Sequence, residues 1–163
     1  MKLYQIIQAL EQLAPPALQE SYDNSGLLVG NNKMEISGAL ICLDSIEEII
    51  DEAIRKKCNL VIAHHPIVFK GLKSITGKNY IERTLLKAIK NDIAIYAIHT
   101  NLDNVQQGVN AKIGALLGIQ HPEILQPKQQ ILEKLVTFCP VDQLETVRNG
   151  LFSAGAGTIG NYS

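Results

Sequence analysis

The chain has 163 residues, of which 46% are hydrophobic and 19% charged, with a formal net charge of −1. High apolar content at near-zero charge excludes intrinsic disorder, and 15 Lys plus Arg against 16 Asp plus Glu lacks the basic excess of a nucleic-acid binder. No apolar run approaches the roughly 18 residues of a membrane span, Gln5, Gln8, Glu11 and Gln12 interrupt any secretory core, and three scattered cysteines (Cys42, Cys58, Cys139) make no disulfide framework, so a soluble, cytoplasmic globular protein is expected.

Leu3, Ile6, Ile7, Leu10 and Leu13 fall at three- and four-residue spacing, which predicts a helix that Pro15 and Pro16 end. Residues 21–26, rich in Ser, Asp, Asn and Gly, read as a turn, and 27–29 as a short strand. Residues 38–43 form a continuous apolar run, the pattern of a strand covered on both faces. Ser45 with Glu48 matches a capping box and opens a helix to about residue 57. A buried strand over 60–63, a helix over 80–90 and a buried strand over 93–98 follow. A short helix over 109–117 closes at Gly118.

This alternation predicts an α/β fold, a mainly parallel sheet flanked by helices. Around 124–130 the composition shifts to Gln, Pro and Lys, as in a linker. Beyond it, a strand over 134–139 and a helix over 142–152 begin a second unit. Gly155, Gly157 and Gly160 match a dinucleotide fingerprint in letters only, because they follow a helix rather than a strand.

In an open parallel sheet, ligands bind beyond the carboxyl ends of the strands. Three strands here end in polar residues: Asp44-Ser45, His64-His65-Pro66, and His99 through Asp103 to Asn104. Pro66 holds His65 extended, and neighbouring side chains on extended backbone point apart. That suits two metal ions about 3.5–4 Å apart better than one. Asp103 adds a hard oxygen, giving a nitrogen and oxygen set that zinc, manganese or iron accept. His99 is a candidate for a supporting or proton-transfer role. Asp44 and Ser45 read as helix caps, His121 as a solvated linker residue, and Cys42 as a small buried hydrophobe.

Three motifs, Tyr22-Asp23-Asn24-Ser25-Gly26-Leu27-Leu28-Val29-Gly30, His64-His65-Pro66-Ile67-Val68-Phe69-Lys70 and His99-Thr100-Asn101-Leu102-Asp103 with Gly108-Val109-Asn110, resemble the family of GTP cyclohydrolase 1 type 2 homologues, the NIF-three-like proteins. Tyr22 stands where tryptophan is usual. The resemblance implies a two-lobed α/β protein with a dinuclear divalent-metal site, usually a toroidal hexamer. It implies that His64 and His65 each bind a different metal, that Asp103 binds the one held by His65, and that His99 lies beside the site. It assigns residues 1–125 to the first half of the metal-binding domain, 126–132 to a linker and 133–163 to the start of an inserted ferredoxin-like domain. A histidine and a bridging glutamate lie in a C-terminal half that is absent here, so the chain looks like a truncated copy with an incomplete site, weak metal binding and little activity. The implied function is metal-dependent hydrolysis of a small, nucleotide-like molecule. The alternative is a metal-binding or regulatory assembly that acts through a partner and catalyses nothing.

Overall fold

The computed structural model describes residues 1–125 and 134–157. The chain divides into two compact units, Met1–Pro122 and Glu123–Ser163. In the first, four strands, β1 (Gly26–Val29), β2 (Ala39–Asp44), β3 (Leu60–His65) and β4 (Ala94–Ala97), form one sheet in the order β1-β4-β3-β2. The β2–β3 and β3–β4 pairs are parallel and β1 runs antiparallel to β4, so the sheet is mixed and mainly parallel, as expected. The parallel pairs place the ends of β2, β3 and β4 at one edge, with Asp44 opposite His65 and Ala63 opposite Ala97.

Side-chain alternation along β3 and β4 builds two cores. Val61 and Ile95 point to the face covered by α2 (Glu47–Lys56) and α3 (Tyr80–Lys90), through Ile50, Ala53, Leu85 and Ala88. Leu60, Ile62, Ala94 and Tyr96 point to the other, against Leu3 of α1 (Leu3–Leu13) and Ala14. Full burial of a side chain such as Ile95 contributes roughly 1.5–3 kcal/mol. Leu3, Ile6, Ile7 and Leu10 of α1 face the core as their spacing predicts, whereas Leu13 is exposed; α3 has the residues read from the sequence. Lys57, in the left-handed region at φ +56°, ends α2.

Two local expectations are corrected in this sheet and helix. The strand over 38–43 is an edge strand covered on one face only. Leu40 and Cys42 pack on the core, while Ile41 and Leu43 are exposed, since an apolar run does not reveal which strand lies outermost. The Ser45–Glu48 capping box does not form: α2 starts one residue later with Ile46 at its N-cap and no side-chain cap. The Ser45 hydroxyl is buried without a hydrogen-bond partner.

The first unit also contains α4 (Thr100–Asp103) and α5 (Val109–Leu116), the latter followed by Gly118 at φ +71°. In the second unit, a 3-10 turn over Val141–Gln143 leads into α6 (Leu144–Ser153). The strand expected over 134–139 is not formed: those residues pair with no strand among the described residues, and an extended segment without a ladder partner is no strand. The expected linker over 126–132 and Gly160 lie outside the described residues.

Candidate metal centre

The carboxyl edge of the sheet brings three histidines together from two neighbouring strands. His64 and His65 end β3, and His99 follows β4 as the N-cap of α4. Their ring centroids are 4.9 Å apart for His64–His65, 5.2 Å for His64–His99 and 5.5 Å for His65–His99. Each ring offers a nitrogen within 4.8 Å of the others. Side chains of consecutive strand residues diverge in a regular strand, yet these two rings converge at the strand's end.

Each imidazole has one nitrogen anchored. His64 Nδ1 lies 3.0 Å from the Ile98 carbonyl oxygen, His65 Nδ1 lies 2.8 Å from Asp44 Oδ1, and His99 Nδ1 lies 2.8 Å from Asp23 Oδ1. A carbonyl or carboxylate oxygen only accepts, so each Nδ1 is the donor, and in the neutral form of the ring Nε2 keeps the lone pair. This is the arrangement by which outer partners orient metal-binding imidazoles.

Asp103 approaches His64 from α4 but lies outside the group of three; the single turn of α4 is closed by the Asp103 N–H donating to the His99 carbonyl at 3.1 Å. Its Oδ1 is 3.7 Å from His64 Nε2. The resemblance pairs Asp103 with His65; the contact in the structure is with His64. The Asn110 side-chain amide donates to the Asp103 carbonyl at 2.9 Å. Gly108 lets the chain pass there, because a Cβ would stand 2.1 Å from the Leu102 carbonyl oxygen.

Two residues that matter here escaped sequence reasoning, which placed Asp44 as a helix cap and Asp23 in a turn. Asp44 instead holds His65. Asp23, with no exposed side-chain surface, accepts from His99 Nδ1, the Thr100 N–H and hydroxyl, the Ser25 hydroxyl and the Asn24 N–H. Burial alone would raise its carboxyl, but these donors outweigh burial and hold it well below the usual carboxylate range. No spacing rule pairs residues so far apart in sequence; the only signal available was an Asp in a motif with more polar residues than a turn needs.

A cavity of about 550 Å³ opens beside the cluster, lined by Asp44, Ser45, His65, Phe69, Tyr80 and His99 among others. Cys42 takes no part. Burial, with Asp44 nearby, pushes its thiol up to about 11, which keeps it a thiol at neutral pH. The donor chemistry fits a divalent transition metal: converging imidazoles, each with its Nδ1 beside an oxygen acceptor, and a carboxylate 3.7 Å from one of them.

The sequence profile of Duf34/NIF3 (NGG1p interacting factor 3) matches residues 1–163. The chain is 42% identical over 160 residues to a GTP cyclohydrolase 1 type 2 homolog of Bacillus subtilis, covering 98% of this chain and 43% of that protein. A protein of the same name from Halalkalibacterium halodurans is 43% identical over 159 residues, covering 97% and 43%. The chain thus spans less than half the length of these relatives. Among solved structures, a Bacillus cereus protein related to NIF3 superposes with a TM-score of 0.76 at 39% identity, over 100% of this chain and 45% of that one. Reduced HcgD from Methanocaldococcus jannaschii does so at 0.72 and 34%, over 77% and 50%.

Proposed function

The chain belongs to the Duf34/NIF3 family, and from that premise we propose that it carries part of a divalent-metal site serving hydrolysis of a small molecule, with His64, His65 and Asp103 as ligands and His99 as the proton carrier. One observation carries the reading: three imidazoles meet with every Nδ1 tied to a protein acceptor, so the remaining lone pairs are ready for ligation. Divalent cations held by such a set supply Lewis acidity and an activated water.

The residues divide the remaining work. His64 and His65 present nitrogen donors fixed by Ile98 and Asp44, and Asp103 supplies charge. His99, with its Nδ1–H on Asp23 and its ring in the wall of the cavity, accepts a proton at Nε2 during attack and returns it to the leaving group. A small substrate, nucleotide-like by the family resemblance, fits a cavity of about 550 Å³. Two ions, with zinc, manganese and iron all acceptable, and assembly into a toroidal hexamer complete the proposal.

Metal content after equilibrium dialysis tests it, on this chain and on a version extended to the length of its relatives. We expect two ions per extended chain and fewer in this one, with His65→Ala losing at least one ion from the extended form. Unchanged metal content in His65→Ala overturns the ligand assignment. Full loading without metal-dependent turnover of nucleotide-like substrates favours a regulatory metal-binding assembly instead.

A further inference from the structure

The turn that carries Asp23 is 76 residues away in sequence from His99, yet its side chain is the most heavily hydrogen-bonded carboxylate at the site. Asp23 Oδ1 accepts from His99 Nδ1 at 2.8 Å and from the Asn24 N–H at 2.7 Å. Asp23 Oδ2 accepts from the Ser25 hydroxyl at 2.8 Å, the Thr100 N–H at 3.1 Å and the Thr100 hydroxyl. Thr100 Oγ1 itself accepts the Glu20 N–H at 3.0 Å, so its hydrogen is free to go to Asp23. Every partner of this buried group is therefore a donor, and two of them are backbone N–H groups that can be nothing else.

We propose that Asp23 is a positioning residue that locks His99 in the tautomer with a bare Nε2 and, through Thr100, fixes the one-turn helix that presents Asp103 to His64. An acceptor with no exposed surface leaves the His99 Nδ1 no alternative to carrying hydrogen, whereas an unconstrained imidazole populates both tautomers. Thr100 opens α4 and Asp103 closes it, so gripping the Thr100 N–H and hydroxyl sets where Asp103 stands. When His99 Nε2 takes a proton, the Nδ1–H stays on Asp23, and the positive charge that forms on the ring faces a buried carboxylate. The use of His99 as a proton carrier rests on the function proposed above; the tautomer lock does not.

A turn-tying Asp23 would affect stability alone, whereas the lock has a spectroscopic signature. The ring nitrogens of the metal-free, 15N-labelled chain are read by long-range proton–nitrogen correlation at about pH 8, above the ordinary imidazole range. His99 is assigned by the loss of its signals in His99→Gln. We expect one His99 tautomer in the wild type, hydrogen on Nδ1 and none on Nε2. In Asp23→Ala a second population with hydrogen on Nε2 should appear, while Thr100→Val keeps the single form. A wild-type His99 that bears hydrogen on Nε2, or mixes both forms, overturns the proposal even if Asp23→Ala fails to fold. So does a folded Asp23→Ala that keeps the single form. Zinc uptake by the version extended to the length of its relatives separates the two readings. A locked His99 with no zinc uptake in the extended chain overturns the proposed function alone, and zinc uptake there with an unlocked His99 overturns the lock alone.

Discussion

Asp44→Ala isolates the contribution of an orienting contact to metal affinity. Asp44 Oδ1 is 2.8 Å from His65 Nδ1, and the two side chains are 56% and 46% exposed. Losing an outer partner of a ligating histidine typically weakens metal binding about 10- to 100-fold. Water competes with an exposed contact and substitutes for it in part, so the low end applies: about tenfold, or ~1.4 kcal/mol. Asp44 ends an edge strand and its side chain is more than half exposed, so the fold should change by no more than ~0.5 kcal/mol. Competition for zinc between the protein and a chromophoric chelator reads the affinity, and urea unfolding reads the stability. Asp44→Asn retains an acceptor oxygen and should recover part of the loss. Wild-type affinity in Asp44→Ala refutes the orienting role. A loss beyond 100-fold in a folded variant makes Asp44 a ligand in its own right.

Other outcomes follow from the fold. Ile95, fully buried in the central strand β4, should cost about 2–5 kcal/mol when changed to Ala, whereas Ile41→Ala, at 78% exposure, should stay within ~0.5 kcal/mol; equal urea midpoints would contradict the assigned burial. The Thr76 and Lys78 N–H groups hold the Glu82 carboxyl at about 2, below its ordinary 4.5. Because the folded-state value is depressed, its stabilisation is complete above pH 4.5 and is lost as pH falls through about 2. Glu82→Gln should flatten the dependence of melting temperature on pH in that window, and an unaltered slope would disprove the link. Lys57→Gly relieves a left-handed backbone at φ +56° and should stabilise by up to ~1 kcal/mol in urea unfolding; a lower midpoint would contradict this.

The sequence made plain whatever rests on local pattern. Periodicity identified α1, and Pro15 and Pro16 marked its end. Unbroken apolar runs identified β3 and β4, because strands flanked on both sides and covered on both faces have no polar alternation to display. The same pattern misled for β2, whose place at the sheet edge depends on strand order. The imidazole pair was legible because Pro66 and a strand end give it a setting, and His99 and Asp103 because the next strand ends beside it. Asp23 and Asp44 were hidden for a shared reason: each had a satisfactory local role, turn former or cap, while its actual partner lies in a distant segment. Ser45 failed in the opposite sense, since its match to a capping pattern holds in letters and not in geometry.

The register of β3 against its neighbours has a further consequence. Asp44 stands opposite His65 across one ladder, and the Ile98 carbonyl, one residue beyond β4, receives His64 across the other. Both imidazoles thus take their bearings from the main-chain lattice rather than from surface loops. A slide of β3 by a single residue would turn each ring to the opposite side of the pleat and strip both of their acceptors together. Tolerance should therefore be uneven: residues 70–75 can drift in sequence at small cost to the cluster, whereas a bulge introduced at Val61 or Ile62, far from any imidazole, would dismantle it.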